Sequence, residues 1–340
     1  MNVAVVGAAG FMARALYLPL LAREREIEVT ACCDINVQSG ETVAAAYSAR
    51  FSNDVEDVLT RDVHAAFILT PPWTHYDLVR VAIDRSIPAY VEKPLSLSSR
   101  DAIALHRKAE QTRSTVAVGY MRRFDPSVVG FSRVVAAHLQ RERVQLDVQV
   151  DAGEWGRARL ADELGIGSRS EVEMNADRFP YWLMKADRSK YLRIASQLIH
   201  ELNLASTLVG PLSVIRVTSR DSDPRDVIHV ITRGEKGDAE FTFRGWRDCP
   251  WSTQVKANCF STEACLSLTG ALSSTQNEYT VRGCERRVGQ PSIAAFARAV
   301  REFLRAAAGR QYLTDTRQAA IDTRLAEEIG IRWLNYHQTA

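Results

Sequence analysis

The chain opens by running an apolar stretch straight into a glycine turn: Val3–Val6 carry no polar side chain, and Gly7-Ala8-Ala9-Gly10-Phe11-Met12 follows at once. A strand without polar alternation is buried on both faces, which points to a parallel sheet flanked by helices. A glycine at its end turns the chain sharply into a helix, whose free amides and dipole attract an anion such as a pyrophosphate. The rhythm then repeats. Leu16, Leu18, Leu20 and Leu21 mark a helix, Ile27–Cys33 a strand, and Val63–Leu69 another strand, which Thr70-Pro71-Pro72 ends because proline blocks continuation. Tyr76–Arg85 reads as a helix, Pro88–Val91 as a strand, Ser99–Thr112 as a helix capped by Ser98 or Ser99, and Thr115–Val118 as a further strand. Such alternation specifies an α/β unit, an N-terminal doubly wound parallel sheet of the Rossmann type.

From about Val144 the period changes. Leu146–Val150 alternates, as do 212–219, 226–232, 239–244, 254–260, 264–268 and 278–283, with helices chiefly at 193–208, 291–307 and 316–334. That pattern predicts an α+β unit, an open and largely antiparallel sheet covered by helices on one face. A chain of 340 residues suits two domains. The expected division is a nucleotide-binding domain over 1–121 and a substrate-binding and oligomerisation domain over 122–340, the helix near 316–334 packing back on the first. A cleft between them is the default ligand site.

A net charge of +2 and the lack of a basic stripe exclude nucleic acid as the expected partner. No apolar run approaches the roughly 18–20 residues that span a bilayer, so no membrane partner is expected. The six cysteines (Cys32, Cys33, Cys249, Cys259, Cys265 and Cys284) form no CxxC pair, which predicts a reduced, cytoplasmic setting with no structural zinc.

In the glycine loop, Ala9 and Met12 stand where the dinucleotide fingerprint has its second and third glycines. Asp34 ends the second predicted strand 24 residues after Gly10, near the spacing of an acid that binds ribose hydroxyls. An acid there repels a 2′-phosphate, and Ile35 rather than an arginine follows, so NAD is expected over NADP. Asp34 is also suited to capping the next helix. Thr70-Pro71-Pro72-Trp73-Thr74-His75 lies where such sheets bind ligands, with Trp73 placed to wall a cofactor or to pack locally, and His75 to join it or merely to begin a helix. Lysine is scarce, six of 43 basic residues, yet one of the six is Lys93 in Glu92-Lys93-Pro94 at a strand's carboxyl end. An ammonium held there can exchange a proton with an alcohol or carbonyl oxygen, though a salt bridge to a neighbouring loop is the plainer role.

These motifs, followed by Gly119-Tyr120-Met121-Arg122-Arg123-Phe124-Asp125-Pro126, resemble the Gfo/Idh/MocA oxidoreductases over nearly all of residues 1–126. The resemblance implies a nicotinamide-binding domain, an open-sheet second domain and hydride transfer at the hydroxyl or keto carbon of a sugar, amino sugar or cyclitol. It further implies that Lys93 touches the substrate, that Glu92 lies near the nicotinamide ribose, that the bond before Pro94 is cis, and that the chain pairs into homodimers or homotetramers through its second sheet. Arg122 and Arg123 join the substrate-binding candidates. Leu198-Ile199-His200-Glu201-Leu202-Asn203-Leu204 is similar to the family's histidine-bearing helix, which makes His200 the acid/base candidate.

One departure stands out. The family's aspartate four residues before that histidine is Ser196 here, and Lys190-Tyr191-Leu192 replaces a glycine cluster. Serine orients an imidazole by hydrogen bonding but supplies no charge. The acid/base work then falls on Lys93, His200 or Tyr191, or the substrate needs less assistance, as in reduction of an imine. Lys190, with Lys185, Arg188 and Arg193, makes this stretch basic and suits a carboxylate or phosphate, or simply a solvated loop. A nucleotide-binding regulator or sensor without turnover is the reading from a different class.

Overall fold

The computed structural model describes residues 1–140, 142–153, 174–220, 226–245, 249–258, 263–270, 277–281, 293–310 and 314–336. Cys259, Cys284, the ends of the predicted strands 254–260 and 278–283, and the start of the predicted helix 291–307 lie outside them. The chain divides into two compact units. One holds Met1–Gly119 with the later described stretches 174–185 and 300–310 and 314–323; the other holds Tyr120 onward to 153, Ala186–Ala299 and the chain from Arg324.

The first unit is built on a six-stranded sheet: β1 (Asn2–Val6), β2 (Glu28–Cys33), β3 (Arg50–Ser52), β4 (Ala65–Ile68), β5 (Ala89–Val91) and β6 (Val116–Val118), in the order β3-β2-β1-β4-β5-β6. Every pairing is parallel. The continuous apolar runs are the cause: β4, β5 and β6 are buried at every residue, as a strand with helices on both faces must be. The order reverses between β1 and β4, so the loops after these two strands flank the crevice in which such sheets take ligands. β3 escaped the sequence reading because its three residues are partly exposed and show no run. Phe303, from the late stretch, sets its ring edge-on to Phe67 at 5.3 Å and tilted to Tyr90 at 5.6 Å. Thr314 forms a parallel bridge with Val116, and the Val118 amide donates to Asp315 Oδ2 at 3.2 Å.

The second unit carries a seven-stranded sheet. Its strands are β7 (Val144–Asp151), β8 (Leu212–Arg220), β9 (Val227–Gly234), β10 (Gly237–Arg244), β11 (Ser252–Asn258), β12 (Glu263–Thr269) and β13 (Glu278–Val281). Their order is β13-β12-β11-β7-β10-β9-β8, and only the β7–β10 pair is parallel. Burial alternates residue by residue along β9 and β11, which is how one face meets helices while the other stays open. The covering helices include Pro126–Leu139 and Ile199–Val209. The first of these was not expected from the sequence. Its signal was nonetheless present: Asp125 Oδ1 accepts from the Ser127 amide at 2.8 Å, with proline at the first helical position. Among the described residues no helix is long and apolar enough to cross a membrane.

Candidate active site

Gly7 sits at φ +82°, and a Cβ added to it would lie 2.8 Å from Thr70 Cγ2 and 3.0 Å from the Leu69 carbonyl. Only glycine fits a left-handed turn pressed against the neighbouring loop. The Gly7 and Ala8 amides both donate to Cys33 O, at 2.8 and 3.1 Å, so the loop is pinned to the end of β2. Asp34 completes the pin: its two oxygens accept the Ala9 amide at 2.8 Å and the Asn36 amide at 2.9 Å. The cap of the following helix, Val37–Ala46, is Asn36, which accepts from the Ser39 amide at 3.0 Å, so Asp34 is not spent on that role. Phe11 and Met12 open the helical run 11–21, which contains a π-turn at Ala13–Tyr17.

The loop after β4 is held by His75, whose ring is fully buried. Its Nδ1 lies 2.6 Å from Pro94 O and its Nε2 2.9 Å from Thr70 O. The imidazole thereby ties the Thr70-Pro71-Pro72 turn to Glu92-Lys93-Pro94. Burial pulls its pKa down; the two carbonyls oppose this, and the charge of Lys93 adds to it. Thr74 Oγ1 donates to Thr70 Oγ1 at 2.7 Å. Trp73 carries a buried indole N–H that meets no acceptor among the described residues. A glycine cradle at a crevice, a fixed carboxylate beside it and an unsatisfied buried donor on the facing loop fit a bound dinucleotide.

Glu92 lies at the carboxyl end of β5, 8% exposed. Tyr17 donates to its Oε1 at 2.5 Å, the Lys93 amide donates to Oε2 at 3.1 Å, and the Tyr90 hydroxyl lies 3.2 Å from that of Tyr17. Burial raises the carboxyl pKa, while Lys93 and the Tyr17 hydrogen bond hold it back. Both tyrosine hydroxyls are pushed above their ordinary value, mainly by burial. The Lys93–Pro94 bond is cis, and Lys93 is partly exposed, beside the buried carboxyl. Sequence reasoning missed Tyr17, Tyr90 and Gly119. A Cβ on Gly119 would come within 3.3 Å of the Glu92 carboxyl. The aromatic pair gave no pattern distinct from core packing, because its partner is fixed only by the fold.

In the second unit, His200 is the second residue of the helix Ile199–Val209, partly exposed, with the Tyr120 ring edge-on at 6.5 Å. Ser196 lies in a π-helical stretch, Arg193–Leu198, so the wider turn alters the four-residue register assumed for it. Arg123 Nε donates to Asn203 Oδ1 at 2.8 Å and its guanidinium lies 4.9 Å from the Tyr120 ring centre. Arg122 is buried and ion-paired to Glu201, whose Oε1 also accepts from Thr253 Oγ1 at 2.8 Å. That guanidinium is committed to the interior. Arg193 is ion-paired to Asp226, which removes it from the basic stretch read at Lys185, Arg188 and Lys190. Tyr191 is fully buried and its phenol pushed well above its ordinary pKa by burial first and Glu327 second, an environment that opposes proton exchange with a substrate. Among the described residues no group of histidine, cysteine and carboxylate side chains is placed to hold a metal ion.

Residues 1–120 match the model of the Gfo/Idh/MocA family, described as an oxidoreductase family with an NAD-binding Rossmann fold. It is this first domain, about a third of the chain, that is similar to the Gfo/Idh/MocA oxidoreductases. It is 33% identical over 109 residues to a scyllo-inositol 2-dehydrogenase (NAD(+)) of Bacillus subtilis (strain 168), covering 32% of this chain and 28% of that one. It is 31% identical over 152 residues to a 4-carboxy-2-hydroxymuconate-6-semialdehyde dehydrogenase of Sphingobium sp. (strain NBRC 103272 / SYK-6), covering 44% of this chain and 47% of that one. The chain thus spans less than half the length of these curated relatives. The two-domain fold is shared with KijD10, a 3-ketoreductase from Actinomadura kijaniata solved with NADP and TDP-benzene. That likeness has a TM-score of 0.74 at 14% identity and covers 98% of each chain.

Proposed function

We propose that this protein is an NAD(H)-dependent oxidoreductase that moves a hydride to or from a hydroxyl or keto carbon of a sugar, a cyclitol or a related ring compound. The observation that carries the reading is the position of Glu92-Lys93 at the end of β5, tied by His75 to the loop facing the Gly7 cradle. A bound nicotinamide supplies or accepts the hydride. Gly7, Ala9, Gly10, Phe11 and Met12 form the turn and helix start that receive the pyrophosphate, and Thr70, Pro71 and Trp73 form the facing wall, which the buried His75 braces from behind rather than joins. Asp34 serves the adenosine ribose. Its carboxylate is fixed by two backbone amides, so it is unable to swing away from a 2′-phosphate, which favours NAD.

Glu92, held by Tyr17, accepts a ribose hydroxyl. Lys93 exchanges the proton of the reacting oxygen, and His200 is the second proton-exchange group, with Ser196 orienting rather than charging it. The scyllo-inositol and carboxylated semialdehyde relatives support a small oxygenated substrate. Arg123 and Lys190 are its candidate contacts. Pairing into dimers or tetramers through the open face of the seven-stranded sheet is part of the proposal; Ile215 and Ile231 stand exposed there at 49% and 39%.

Lys93→Met tests the assignment. Turnover is expected to fall about 10²–10³-fold, as for loss of a positioned acid/base group, with NAD affinity by calorimetry nearly unchanged. Unaltered turnover removes Lys93 from the chemistry. Absence of heat with NAD, NADH, NADP and NADPH removes the oxidoreductase reading itself.

A further inference from the structure

Within the second unit, the helices Pro126–Leu139 and Ile199–Val209 leave a groove of about 380 Å³ between them, in the range of small-molecule sites. His200, Asn203, Leu204 and Thr207 line one side at helical spacing. From His200 to Thr207 the helix rises roughly 10 Å at 1.5 Å per residue, longer than a single six-membered ring. Val128, Val129, Ser132 and Ala136 line the other side.

The lining has two properties. Its walls are the side chains of valine, leucine and alanine with the Tyr120 ring, and they present few partners for a polyol whose every carbon bears a hydroxyl. Its charges are of one sign: Arg122, Arg123 and Arg133 line it, and among the described residues no acid does. Arg122 is neutralised by Glu201, and Arg123 is braced by Asn203 and Tyr120. Arg133 is exposed on the rim and makes no ion pair or hydrogen bond among the described residues.

We infer that this groove is a substrate subsite for a compound with an apolar body and an anionic group, a carboxylate being the simplest, with the body along Val128, Val129 and Leu204 and the anion on Arg133. The inference deepens the function proposed above and rests on it for the reaction; the binding itself does not. Within the proposed range of ring compounds it selects those that carry an apolar portion and an anionic group over bare polyols. A guanidinium at the groove mouth holds a carboxylate by paired N–H donors, and burial of the body supplies the remaining affinity.

The test is titration of the NADH-saturated protein with 3-phenylpropionate, 3-phenylpropan-1-ol and myo-inositol, read by calorimetry and by methyl NMR of Val128, Val129 and Leu204. The acid is expected to bind about threefold to tenfold more tightly than the alcohol, and more tightly than inositol, with shifts at those methyls. Arg133→Ala should erase the margin of acid over alcohol, and Arg133→Glu should invert it; the side chain is exposed, so neither change threatens folding. Equal binding of acid and alcohol, tighter inositol binding, or a margin that survives Arg133→Ala overturns the inference. Should NADH fail to bind while the acid still occupies the groove, the subsite stands and the oxidoreductase reading falls.

Discussion

His75 shows how a single side chain can tie together two loops at the carboxyl ends of a parallel sheet. A neutral imidazole has one N–H, yet both ring nitrogens face carbonyl oxygens, at 2.6 and 2.9 Å, so one contact sets lone pair against lone pair. Protonation would satisfy both, but burial outweighs that gain and holds the pKa below the ordinary value near 6.5. Between the folded pKa and about 6.5 the unfolded chain binds the extra proton, so stability rises with pH there and is lost as pH falls. Glu92, with its pKa raised, has the opposite sign in its own window above the ordinary carboxylate value. A comparison with His75→Gln isolates the histidine: the stability advantage of the native chain, by urea unfolding, is expected to shrink as pH falls from 7.5 to about 5. An advantage that grows on acidification would mean that the carbonyls, not burial, dominate. The sequence offered His75 as either a cofactor contact or the start of a helix; it does start the helix His75–Asp84, and its ring adds a tie between two loops, because Pro94 comes beside it only through the sheet.

At the scale of elements, the helix bearing His200 is anchored by its next residue. Glu201 is fully buried and meets Arg122 from the turn Met121–Phe124 and Thr253 from β11. Desolvating two charges cancels most of their attraction, but removing one strands the other. Glu201→Leu alone is expected to cost about 3–5 kcal/mol in urea unfolding, and Arg122→Met with Glu201→Leu to recover most of it. A double variant as unstable as the single one would refute this account. Element reading from sequence succeeded where a period was strong: the apolar runs of β1 and β4 and the alternation of β7 to β12 gave both sheets. It failed for β3, with three half-exposed residues, and for the helix Pro126–Leu139, whose Asp-Pro cap passed unread. The parallel β7–β10 pair was beyond it, since strand order depends on which edges meet and not on local pattern. Among the candidate site residues, Gly7, Asp34 and Lys93 stood at legible spacings; the Tyr17–Glu92 contact, 75 positions apart, did not.

At the scale of the molecule, the nucleotide-binding unit is not contiguous. Residues 1–120 match the family domain, yet Phe303 packs on Phe67 and Tyr90, and Thr314 and Asp315 bond to β6. A fragment of residues 1–120 leaves those aromatic faces and the β6 edge open to water, an aggregation hazard. Expressed alone it is expected to bind a hydrophobic dye and to show no cooperative melting, and co-expression of 293–340 should restore part of its solubility. A fragment that melts cooperatively and binds NAD would show the later stretch to be dispensable. For the gene, the consequence is that a late nonsense codon would strip the cover from Phe67, Tyr90 and β6 even though the whole family-matching stretch lies upstream, and that this module resists being shuffled between proteins as one uninterrupted piece.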